Sequence, residues 1–189
     1  MKNNDIYMLH EIEVMFMERS EIQDNKTEIP REKVNEWMQN NNIEVLGAVF
    51  HLLTDSRYYP CIVPPLSVKD YYPFMIHYYE RCLLENPDGE WSDSRYSAGW
   101  SLVEWFKELW YDPDVPRKML GDLKKRLAKL YIDGDEELRI CIVNATLEHL
   151  LEKKDIAKYF VDWKKDPILK MAYSEAMLWS NPPKKINNS

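Results

Sequence analysis

Glycine is scarce, with five residues in a chain of 189. Phosphate-cradling loops of the G-x-G-x-x-G or Walker A type crowd several glycines into a few positions, and neither pattern occurs. The G-x-S-x-G turn that exposes a nucleophilic serine is missing as well. So little glycine also argues against a turn-rich β protein. Cysteine is equally sparse. Cys61, Cys82 and Cys141 are far apart, odd in number and outside any C-x-x-C pair. Their apolar and aromatic surroundings predict buried free thiols, and such usage fits a reducing, cytoplasmic compartment. No stretch approaches the ~18 apolar residues of a membrane span. The opening Met1-Lys2-Asn3-Asn4-Asp5 does not read as a signal peptide. An excess of basic residues is also absent: the formal charge is −7 and the pI about 5.2. A nucleic-acid binder needs lysine and arginine against phosphate, so nucleic acid is not an expected partner.

What is present is apolar and aromatic. Hydrophobic residues make up 45% of the chain, too many for disorder, and seven Trp and twelve Tyr supply large rings for a core. Apolar residues recur at helical spacing. Ile6, Leu9, Ile12, Val14, Phe16 and Met17 predict a helix over about 4–18, and 20–29 reads as a polar loop. Pro30 opens a second helix bearing Val34, Trp37 and Met38, which the asparagines at 40–42 end. A third follows from Ile43 to about Asp55. Residues 57–66 (RYYPCIVPPL) hold three prolines and read as an extended connector. Ser67 with Asp70 three positions on predicts a capped helix to about Glu85, Pro73 shifting its start if anything does. Asn86-Pro87-Asp88-Gly89 is a turn.

The second half repeats the theme. Helices are expected over 94–110, from about Asp114 (as cap) to Tyr131, over 138–153 after the Asp135 cap, over 156–163, and from Asp166-Pro167 to about Trp179. The whole predicts a single all-α domain over 1–182. It comprises N-terminal helices (1–56), the connector and a main array (67–180), with a disordered tail at 183–189. Short loops suggest antiparallel helix pairs, packed as an irregular bundle or a short HEAT-like solenoid.

Charge is uneven. Residues 1–112 hold 20 acids against 10 bases, and 113–189 hold 12 against 15. An acidic surface in the first part would suit a basic protein partner. The candidates are Glu85, Asp88, Glu90, Asp93 and Glu104, on a turn and its flanking helix. Glu80, Arg81, Arg95 and His149 are candidates for a structural polar network that locks helices together. Three His-x-x-Glu spacings stand on helices: His10/Glu13, His77/Glu80 and His149/Glu152. Each puts an imidazole and a carboxylate on one face. The alternative to a binding protein is therefore a metal-dependent enzyme using His77, Glu80, Glu148 and His149. The di-iron order, Glu-x-x-His, is missing, so neither a metal nor another cofactor is the first expectation. An adaptor or regulatory helical-repeat protein is a third possibility.

The strings YYPFMIHYYERCLLENPDGEWSDSRYSAGWSLVEWF, LRICIVNATLEHLLE and DWKKDP…AYSEAMLW, spanning Tyr71–Trp179, resemble a bacterial family of small helical proteins. The segment Asn144-Ala145-Thr146-Leu147-Glu148-His149-Leu150 is similar to one in helical proteins associated with toxin–immunity loci. The resemblance implies a non-catalytic immunity protein that binds and blocks a toxin domain. It implies no catalytic residues.

Overall fold

The structure, a computed structural model, describes residues 3–21 and 28–180. Most of the expected polar loop (22–27) and the expected disordered tail (183–189) lie outside the described residues. The fold is all-α: among the described residues, strand is confined to two segments of two residues each. The chain divides into two compact units, 1–94 and 95–189. The division therefore falls at Ser94/Arg95, not at the proline-rich connector. It also separates charge: the first unit holds 17 acids against 8 bases, the second 15 against 17.

In the first unit, α1 (Asn3–Glu21), α2 (Arg31–Trp37), α3 (Ile43–Thr54) and α4 (Val68–Glu85) surround an apolar centre. The reason lies in α3, whose sequence IEVLGAVFHLLT is apolar on nearly every side. Val45, Leu46, Ala48, Val49 and Leu52 are all but inaccessible, and α1, α2 and α4 each pack against it. Asn42 caps α3, its side-chain oxygen accepting the Glu44 N–H at 2.9 Å. The asparagines that end α2 also tie down α1, because Asn40 and Asn42 amides donate to the two Asp5 carboxylate oxygens.

The connector differs from a simple extended crossing. Tyr59–Cys61 forms one 3₁₀ turn, and β2 (Ile62–Val63) pairs in parallel with β1 (Ile29–Pro30). Ile62, Cys61 and Leu66 are buried, so this segment belongs to the core of the first unit. At the start of α4, Asp70 Oδ2 accepts the Ser67 N–H (2.7 Å) and hydroxyl (2.8 Å), as the capping pattern predicts. Pro73 lies inside the helix without offsetting its start. Asn86, left-handed at φ 46°, closes it.

The second unit contains α5 (Arg95–Tyr111), α6 (Arg117–Asp133), α7 (Glu136–Cys141), a π-helical segment (Ile142–Leu147), α8 (Glu148–Leu151), α9 (Lys154–Tyr159) and α10 (Pro167–Ser180). α7, the π segment and α8 run on continuously where one regular helix is expected. Their side chains are buried at Ile142, Val143, Ala145, Thr146 and Leu147, and α5 and α10 pack on them. The wider turn brings Ala145 against Gly99 of α5, where a β-carbon would meet the alanine methyl at 2.7 Å. Thr146 Oγ1 donates to the Gly99 carbonyl at 3.2 Å.

Two expected boundaries move. α6 starts at Arg117 with Pro116 at the cap position, and Asp114 lies in the preceding turn, its N–H donating to Asp112 Oδ1 at 2.8 Å. The short helix expected over 156–163 ends at Tyr159, and a separate 3₁₀ turn, Val161–Lys165, follows Phe160. Asp135 and Asp166 cap as expected, accepting the N–H of Leu138 and those of Ile168 and Leu169.

Candidate functional site

The loop between α4 and α5 carries most of the acidic candidates, and its shape is set by a residue 46 positions earlier. Glu44, in the first turn of α3, points its carboxylate into the backbone of residues 90–92. Oε2 accepts the N–H groups of Glu90 (2.8 Å) and Trp91 (3.0 Å). Oε1 accepts the N–H of Ser92 (3.2 Å) together with the Ser92 hydroxyl. Burial alone would raise the pKa of this half-buried acid. The Ser92 hydroxyl and the three backbone donors outweigh that cost and hold it below the ordinary glutamate range.

Two glycines make room for the contact. A β-carbon on Gly89 would run into the Glu44 carboxylate, and one on Gly47 would lie 2.5 Å from the Trp91 carbonyl carbon. Trp91 is anchored from its other side. Its indole stacks on Phe16 with centroids 5.2 Å apart, and its N–H donates to Glu13 Oε1 at 3.2 Å. Phe16 in turn meets Tyr58 edge-on at 4.5 Å. The loop is thus clamped on three elements, and its acids are displayed on a fixed frame.

The acidic candidates fare differently. Asp88 and Glu90 are exposed at the turn. Glu85 is exposed too, but both its oxygens face the Arg81 guanidinium one helical turn back, which holds its pKa down and offsets its charge. Asp93 departs from the expectation of an outward-facing acid. It is half-buried, its Oδ2 is fully enclosed without a hydrogen bond, and burial raises its pKa against the opposing influence of His51 and Tyr78. The Tyr78 hydroxyl accepts the Asp93 N–H at 2.9 Å. Glu104 lies in the second unit, exposed on α5 and paired with Lys107 at 2.9 Å. Only Asp88 and Glu90 therefore combine exposure with a fixed loop position.

The proposed polar network falls two residues to each unit. Arg81 joins Glu85 and the Asn41 carbonyl (2.9 Å), and Glu80 sits half-buried on the same helix. Arg95 is buried and meets Glu137 at 3.5 Å, while His149 meets Glu152 at 3.4 Å. The four metal candidates divide in the same way: His77, exposed, and Glu80 stand on α4, Glu148 and His149 on α8. Among the described residues no group of three or more His, Cys, Asp or Glu side chains could hold a metal ion. All three cysteines are buried and free. Burial pushes the Cys82 thiol up to about 12 and Cys141 up to about 11, so neither offers a thiolate near neutral pH. No helix among the described residues is long and apolar enough to cross a membrane.

Comparison with known proteins adds no relative: no family model, curated protein or solved structure matches the chain.

Glu44 is the residue that sequence reasoning missed. Its partners lie 46 to 48 positions away, and a glutamate beside a helix cap looks like an ordinary first-turn acid. The one available signal is Gly89, a glycine in a turn that already has its left-handed residue in Asn86.

Proposed function

We propose that the protein is a non-catalytic binding module that docks a basic partner protein on the clamped loop, with Asp88 and Glu90 as the leading contacts. The observation that carries this reading is the Glu44 clamp. A loop whose backbone is already fixed loses little conformational freedom on binding, so more of the contact energy appears as affinity. The surplus of acids over bases in residues 1–94 supports it too, since such a field steers a basic partner toward the loop before contact. The specific form we favour is an immunity protein that covers a toxin domain in the cytoplasm. The resemblance of the 144–150 string points that way, and occlusion needs no catalytic group of its own.

The test is capture of partners from the native cell with the wild type and with Asp88→Lys/Glu90→Lys, followed by association kinetics with any protein that only the wild type retains. The expected partner is basic, and the double reversal slows its association about tenfold or more at low salt. An identical set of captured proteins for both chains would remove the acidic loop from the interface.

A further inference from the structure

The sequence of α10, PILKMAYSEAMLWS, has two apolar faces, and the second unit uses one. Leu169, Ala172, Tyr173 and Ala176 are buried at i, i+3, i+4 and i+7. Ile168, Met171, Leu178 and Trp179 fall within an arc of about 100° on the other side. They are 41%, 66%, 68% and 60% exposed, a density of bare large side chains well beyond scattered surface leucines.

The rim of this face is charged in a particular way. Lys164, Lys165, Pro167, Lys170, Met171 and Ser174 line a cleft of about 600 Å³ at the amino-terminal end of α10. None of the three lysines is ion-paired with a carboxylate among the described residues; Lys164 instead lies 4.9 Å over the Tyr173 ring. Asp166 already takes the first free N–H groups of the helix, so the positive character of the cleft comes from the lysines. Glu175 stands within the apolar arc. A lipid surface would bury this carboxylate and repel it with anionic headgroups along its whole length, whereas a helical segment of fixed sequence can set a hydrogen-bond donor opposite this one side chain and keep its own carboxylates at the lysine end, which makes a membrane surface the poorer occupant.

We propose that the outward face of α10 is a second docking surface, which takes an acidic amphipathic helical segment of a partner protein. The apolar side chains of that segment lie along Met171, Leu178 and Trp179, and its carboxylates fall against Lys164, Lys165 and Lys170. This surface is opposite in charge to the clamped loop and independent of it.

The experiment uses the full chain and a synthetic helical peptide with leucines at i, i+3, i+4 and i+7 and glutamates between them. The same residues in a non-periodic order form the control peptide. Titration is followed by the chemical shifts of the α10 amides. Saturable binding of the periodic peptide is expected. It should weaken at least tenfold in Met171→Glu/Leu178→Glu and in Lys164→Glu/Lys165→Glu/Lys170→Glu. All these positions are exposed, and unchanged circular dichroism confirms that the fold persists. Equal binding of both peptides, or no binding of the periodic one, overturns the proposal. So does sedimentation showing a wild-type dimer that Met171→Glu/Leu178→Glu dissolves, because a second copy would then be the occupant. Partition of the wild type onto phosphatidylserine vesicles, lost in the same variant, equally overturns it in favour of a lipid surface.

Discussion

Glu44, which accepts from the backbone of residues 90–92, and Asp93, the next residue of that loop, respond to pH in opposite senses. The folded pKa of Glu44 is depressed, so its stabilisation is present above the ordinary glutamate value and is lost as pH falls through the lower folded value. Asp93 is raised, so its contribution is full below the ordinary aspartate value and disappears as pH rises through the folded one. Glu44→Gln should therefore destabilise the protein by roughly 1–3 kcal/mol at pH 7, the usual scale for hydrogen bonds to a charged group. That deficit should shrink in acid, as denaturant titrations at both pH values would show. Asp93→Asn keeps the shape and removes a half-buried charge with an unsatisfied oxygen. Its expected effect at pH 7 is unchanged or higher stability, and a clear loss would contradict the burial argument. Hydrogen exchange offers a direct view of the clamp: the amides of Glu90, Trp91 and Ser92 should be protected in the wild type and exchange much faster in Glu44→Ala. Beyond Gly89, little of this is legible in the sequence. The capping residues Asp135 and Asp166 announce themselves by position, whereas a carboxylate that bridges 46 residues has no local signature.

At the scale of elements, the pattern of apolar residues and caps is enough to place α3, α4, α5 and α10 to within a residue or two. Burial and capping there act within one or two turns of chain. The π segment is different, because its wider turn answers to Gly99 on another helix. Gly99→Ala is accordingly expected to destabilise by about 1–3 kcal/mol through overpacking against Ala145. Helix propensity alone would predict a gain of up to about 1 kcal/mol from the same change, so a thermal melt decides between packing and propensity. Asp166→Ala should cost about 1 kcal/mol, since it frees the N–H groups of Ile168 and Leu169 at the start of α10. The proline-rich 57–66 segment misleads in the opposite direction. Its composition suggests a boundary, while Ile62, paired with Ile29 of β1, and Leu66 are both buried in the core, and the pairing is a contact the sequence does not advertise.

For the molecule as a whole, the charge asymmetry visible in the sequence coincides with a structural division, acidic before Ser94 and slightly basic after it. The two candidate surfaces follow that division, a clamped acidic loop on the first unit and a lysine-rimmed apolar helix face on the second. Counting acids along the chain finds the first region but overstates it. Folding pairs Glu85 with Arg81 and half-buries Asp93, which leaves Asp88 and Glu90 as the exposed acids of the loop. The most direct test is the rate of association with a basic partner retained by the wild type, measured as ionic strength rises from low to physiological. A steep fall in the wild type, flattened in Asp88→Lys/Glu90→Lys, is the predicted result. A rate that ignores salt, or one that the double reversal leaves untouched, would contradict docking through the clamped loop.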